Sequence, residues 1–173
     1  MNRILGIDYG EARVGVAITD PLNITAQGLE TIQRNNSDKV VLRRLDEIFV
    51  KYEVDIIVIG IPYHMNGDIS ERAQITEQFI HKLRCKYPNK KVESVDERLT
   101  TVEAHKTMNF LGIDKRKKRS IVDTISAVYI LETYLNQIKK NWLLDKSLEN
   151  FVNCIAKFLK IRYDCFAIGY NNV

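Results

Sequence analysis

A mixed α/β sheet flanked by helices is the fold class this sequence predicts. Three observations predict it. Three strand-like segments crowd into residues 3–33 with short connections. Ile56-Ile57-Val58-Ile59 is an uninterrupted β-branched run. Amphipathic helical patterns then alternate with shorter apolar runs. A meander followed by β-α alternation yields one sheet with antiparallel and parallel parts, covered by helices.

Each element follows from its residues. Arg3 to Tyr9 is apolar enough, through Ile4, Leu5 and Ile7, for a central strand. Gly10 permits a turn, and Val14 to Thr19 is the second strand. Asp20-Pro21-Leu22-Asn23 is turn chemistry. Ala26 to Gln33 is the third strand, which completes an antiparallel meander. Asn35 to Asp38 offers a helix cap. Val40, Val41, Leu45, Ile48 and Phe49 then recur at helical spacing over 39–52. Asp55 to Gly60 has the composition of a parallel strand buried on both faces.

A loop from Ile61 to Asp68 holds Pro62 and Gly67. A second helix is expected over 70–87, ended by Pro88-Asn89, and a short strand over Lys91 to Val95. Thr100 or Thr101 caps a third helix to about Phe110, with Glu103 placed for a capping box and Leu111-Gly112 as its stop. Ile121, Ile125, Val128, Leu131 and Leu135 mark a helix over 120–137. A last amphipathic stretch, 143–160, carries Leu144, Leu148, Phe151, Val152, Ile155 and Leu159 on one face. The expected organisation is a domain over 1–138 and an extension over 139–173.

The composition excludes several classes. With 45% hydrophobic and 28% charged residues, the 173-residue chain is not a disordered one. No apolar run reaches the roughly 18 residues of a membrane span. Arg3 to Leu5 enters a strand at once, without a signal core, so a cytoplasmic protein with no membrane partner is expected. Cys85, Cys154 and Cys165 form no CxxC pair, and His64, His81 and His105 are scattered, so no zinc site is expected. The net charge of +4 is weak evidence for a nucleic-acid partner. The run Lys115-Arg116-Lys117-Lys118-Arg119 is better evidence, as a sequence-independent phosphate track or a solvated loop.

The acids carry the chemistry. Ligands of such sheets collect at the carboxyl ends of the parallel strands. Asp8 falls at the end of the first strand, Asp96-Glu97 just past the last, and Asp123 at the start of a late helix. A few converging carboxylates can hold two divalent ions about 3.5–4 Å apart, which activate water and stabilise a leaving oxygen. Mg²⁺ and Mn²⁺ prefer such oxygen donors. Asp96 and Glu97 point to opposite sides of an extended backbone, so one of them faces the site. Arg98 is either a phosphate clamp or an ion-pair partner of a neighbouring acid. Arg13 is a candidate substrate contact.

Four motifs in order resemble the YqgF family. Gly6-Ile7-Asp8-Tyr9-Gly10-Glu11-Ala12-Arg13-Val14-Gly15-Val16-Ala17 is similar to its opening, and Gly60-Ile61-Pro62-Tyr63-His64-Met65-Asn66-Gly67 to its proline loop. Asp96-Glu97-Arg98-Leu99-Thr100-Thr101 and Val122-Asp123-Thr124-Ile125-Ser126-Ala127 are similar to its later motifs. The resemblance covers residues 3–138. It implies an RNase H-like fold with a mixed five-stranded sheet, and Asp8, Glu97 and Asp123 as a metal-binding catalytic triad. It implies a Mg²⁺- or Mn²⁺-dependent endonuclease with two ions, acting in 5′-end maturation of the small-subunit (16S) rRNA precursor and associated with ribosomal particles. The alternatives are a Holliday junction resolvase and a non-catalytic RNA-binding factor. An ATP-dependent phosphotransferase shares the opening motif, but needs two such domains. Monomer and homodimer both stand. Family members commonly end near the equivalent of Gln137, and the residues beyond it match nothing in the family.

Overall fold

The computed structural model describes residues 2–35, 37–62, 70–96 and 122–146. The expected helix over 100–110, the basic run and residues 147–160 of the tail helix lie outside them. The elements in chain order are β1 (Arg3–Tyr9), β2 (Arg13–Thr19), β3 (Ala26–Gln33), α1 (Asp38–Lys51), β4 (Val54–Ile61), α2 (Glu71–Lys86) and β5 (Lys91–Asp96). A further helix, α3, occupies 122–146.

The five strands form one sheet in the order β3-β2-β1-β4-β5. β1 pairs antiparallel with β2, and β2 with β3. β4 pairs parallel with β1 on one side and β5 on the other. The meander plus parallel strands expected from the sequence is the sheet observed. Its turns have local causes. The Asp20 carboxylate accepts the backbone N–H groups of Leu22, Ile24 and Thr25, and Asn23 takes a positive φ of 54°. Asparagine tolerates that conformation better than a branched residue would.

Both faces of the central strands are buried, which explains the apolar run in β4. Ile57 and Ile59 join Leu5, Ile7, Val16, Leu45, Phe79 and Leu83 in one core cluster, fed by α1 and α2. Val58 joins Ile4, Ala17, Val95, Ala127, Ile130 and Leu131 in the other, fed by α3. Successive strand residues point to opposite faces, so a strand covered on both sides has no polar positions to spare.

α1 starts at Ser37, and α2 at Ser70, whose hydroxyl accepts from the Ala73 N–H at 2.9 Å. The sequence reading ends the 120–137 helix too early. α3 runs on through 146, because Ile138 to Lys146 holds no glycine or proline and several good helix formers. Residues 143–146 therefore belong to α3 rather than beginning a separate tail helix.

The chain divides into two units, Met1–Leu135 and Asn136–Val173. In the second, the described residues 136–146 are helical and exposed, with Trp142, Leu143 and Leu144 among the exposed apolar side chains. Among the described residues no helix is long and apolar enough to cross a membrane.

Candidate active site at the carboxyl edge of the sheet

β1, β4 and β5 run parallel, so their carboxyl ends share one edge of the sheet. Asp8 is the next-to-last residue of β1, and Asp96 the last of β5. Two strand spacings separate β1 from β5, roughly 10 Å. Asp8 lies opposite Gly15 in the β1–β2 ladder. Gly15 is also where the backbone of Asp123 lies on the sheet. A Cβ there would stand 1.9 Å from the Asp123 carbonyl oxygen.

Three glycines on three adjacent strands form this seat for α3. Added Cβ atoms at Gly6 and Gly28 would meet Ala127 and Leu131, and Thr124, respectively. The Thr31 and Thr124 hydroxyls, 2.8 Å apart, tie β3 to the same turn of helix. Asp8 and Asp123 are thus brought together by bare backbone, across more than a hundred residues of sequence.

The pair is electrostatically loaded. Burial, and then the negative charge of Asp123, push the Asp8 carboxyl up to about 6 from an ordinary 3.8. The positive charge of Arg72 and a hydrogen bond from Ser126 oppose the rise in part. Arg13, the first residue of β2, donates Nε–H to Asp123 Oδ2 at 2.6 Å, and both side chains are mostly buried. A charge-assisted bond of this kind fixes the carboxylate's orientation.

The opposite face of the same strand end is braced. Tyr9 stacks on Phe79 of α2 with ring centroids 4.0 Å apart. Its hydroxyl donates to Asp38, which also accepts from Arg34 at 3.0 Å and from Lys82 at 2.6 Å. β1, α1 and α2 are therefore locked together next to Asp8. Past β4 the Ser70 hydroxyl donates to the Pro62 carbonyl at 2.8 Å, and residues 63–68 of the expected loop lie outside the described residues.

Of the residues singled out from sequence, the structure brings together Asp8, Asp123 and Arg13. Glu97, Arg98, Lys115, Arg116, Lys117, Lys118 and Arg119 lie outside the described residues. Sequence reasoning missed two neighbours of Asp8, namely Ser126 and Arg72. Ser126 had a signal, because a residue three after Asp123 shares its helical face. Arg72 had none, since nothing in the order of residues sets the start of α2 beside the end of β1.

Among the described residues, no group of three His, Cys, Asp or Glu could hold a metal. Asp8 and Asp123 supply two carboxylates, and the third expected acid falls outside. The donor chemistry fits a hard divalent cation, which would offset the burial and the repulsion that raise Asp8.

Residues 2–137 match the RuvX family, described as Holliday junction resolvase. The chain belongs to the RuvX family. The motif resemblance read from the sequence is to this same family. Among RuvX relatives, a protein of Ruminiclostridium cellulolyticum is 53% identical over 139 residues, covering 80% of this chain and 97% of its own. One of Acetivibrio thermocellus is 46% identical over 134 residues, covering 78% and 95%. Both bear the name "Putative pre-16S rRNA nuclease". The crystal structure of the fowlpox virus Holliday junction resolvase is similar in fold, with a TM-score of 0.51 at 14% identity. The match covers 79% of this chain and 99% of that one. The RuvX description and the relatives' name both denote nucleases, and the fold is of the RNase H type.

Proposed function

We propose that this RuvX member is a metal-dependent endonuclease that trims the 5′ end of the small-subunit rRNA precursor. One observation carries the reading. Asp8 and Asp123, distant in sequence, meet at the carboxyl edge of the sheet, where burial first and the charge of Asp123 second raise Asp8 to about 6. Arg13 balances the charge of Asp123, and a metal cation would balance that of Asp8 as well.

In this reading Asp8, Glu97 and Asp123 hold Mg²⁺ or Mn²⁺. Two such ions, when bound, supply Lewis acidity to the attacking water and the leaving oxygen. The chain's own residues do the rest. The glycine seat fixes the backbone of Asp123 over β2. Ser126 orients Asp8 by its hydrogen bond. Arg13 holds the Asp123 carboxylate in place and is a candidate contact for a substrate phosphate. Arg98 and the run Lys115 to Arg119 follow the backbone without reading sequence. The precursor rRNA is favoured as substrate by the shared name of relatives up to 53% identical. A second reading, cleavage of branched DNA, is favoured by the family's description.

The test is a cleavage panel with Mg²⁺ or Mn²⁺. It holds a small-subunit rRNA precursor end, a plain RNA of equal length and a four-way DNA junction, each with wild type and Asp8→Asn. The reading expects cleavage of the precursor, lost in the variant. Cleavage of the junction alone would select the second reading. Tight binding without any cleavage would select a non-catalytic RNA-binding factor.

A further inference from the structure

We propose that Arg72 grips a backbone phosphate of the nucleic-acid substrate in the pocket at the Tyr9–Glu11 end of β1, next along the chain from Asp8. The inference rests on the nuclease reading above and adds to it a binding residue at the start of α2.

Arginines in folded proteins are usually engaged, and here the other described ones are. Arg3 and Arg84 donate to the Thr19 and Val92 carbonyls. Arg13, Arg34, Arg43 and Arg44 form ion pairs. Among the described residues the Arg72 guanidinium has neither a hydrogen bond nor an ion pair, yet its charge is felt at Asp8. It is exposed, and it lines a pocket with Tyr9, Gly10, Glu11, Arg34 and Thr76.

The other walls of that pocket are already occupied. Arg34 is held by Asp38 and donates to the Glu11 carbonyl, and Tyr9 donates to Asp38. Among the described residues, Arg72 is the pocket cation with its donors open. Its planar fork suits the two free oxygens of a phosphodiester. Gly10 has no side chain to block the approach of a strand. A strand whose reacting phosphate sits at Asp8 and Asp123 would carry another phosphate past this pocket.

The experiment measures binding of a precursor-end RNA and of a four-way DNA junction, with Ca²⁺ in place of Mg²⁺, over a range of salt concentrations. It compares wild type, Arg72→Gln and Arg72→Lys, and thermal melting shows that each variant is folded. For Arg72→Gln we expect binding weakened about tenfold and a salt slope reduced by about one. Arg72→Lys should restore the slope and only part of the affinity, since an ammonium lacks the fork. In turnover, KM should rise for Arg72→Gln, in addition to any change in kcat from the charge lost near Asp8.

An unchanged slope and affinity in Arg72→Gln overturns the proposal. So does an unchanged KM with a lowered kcat and a displaced pH profile, which would make Arg72 an electrostatic neighbour of Asp8 alone. If wild type itself neither binds nor cleaves either nucleic acid, the nuclease reading fails, and this inference with it.

Discussion

Asp8 sets the sign of an unusual pH dependence. Its carboxyl is raised from 3.8 to about 6, so the native state keeps a proton that the unfolded state has already lost. Between those values the native state binds more protons, and stability falls as pH rises. Below about pH 4 both states are protonated and the cost is absent. Above about pH 6 the full cost is present, on the order of 1–3 kcal/mol. In chelator at pH 7, Asp8→Asn should therefore melt at a higher temperature than wild type. That advantage should shrink to nothing as pH falls toward 4. A variant that melts lower at pH 7 would contradict the account of burial and like charge. Added Mg²⁺ should narrow the gap by stabilising wild type alone. Arg13 has the opposite effect, because it neutralises Asp123. Arg13→Gln should lower metal-free stability by about 1–3 kcal/mol, with Mg²⁺ restoring part of it. Denaturant melts with and without the ion read this directly.

The contact of α3 with the sheet is the element on which the site depends. It works only because Gly15, Gly6 and Gly28 leave the space empty. The three positions should not be equally sensitive. At Gly15 a methyl would collide with backbone at 1.9 Å, so the helix carrying Asp123 must shift. At Gly28 it meets first the Thr124 methyl, the end of a side chain that can turn away. Gly15→Ala should cost more than about 3 kcal/mol, and Gly28→Ala about 1 kcal/mol, in urea unfolding. Equal costs would mean that α3 is not seated as described. This seat was not legible in the sequence. Gly15 and Gly28 read as strand residues, and nothing local showed what lies over them. β4 was legible, because burial on both faces leaves an uninterrupted apolar signature. The end of α3 was misread near Gln137 for want of any stop signal, and helical residues simply continue to 146.

At the scale of the whole molecule, fold and family were readable because four motifs keep their order along the chain. Asp8 and Asp123 could be named from those motifs. The neighbours that tune Asp8, Ser126 and Arg72, are set by packing and were not. The net charge of +4 is too small for nucleic-acid affinity to rest on bulk attraction. Binding should instead depend on a few placed cations, and its salt slope should count them. The central claim is that Asp8 and Asp123 hold the cations for phosphodiester cleavage. The most direct test is the Mg²⁺-dependent cleavage rate of a small-subunit rRNA precursor end by wild type and by Asp123→Asn, which preserves shape while removing charge. The account predicts cleavage that rises with Mg²⁺ in wild type and falls more than about a hundredfold in the variant. Full Mg²⁺-dependent cleavage by Asp123→Asn would contradict it.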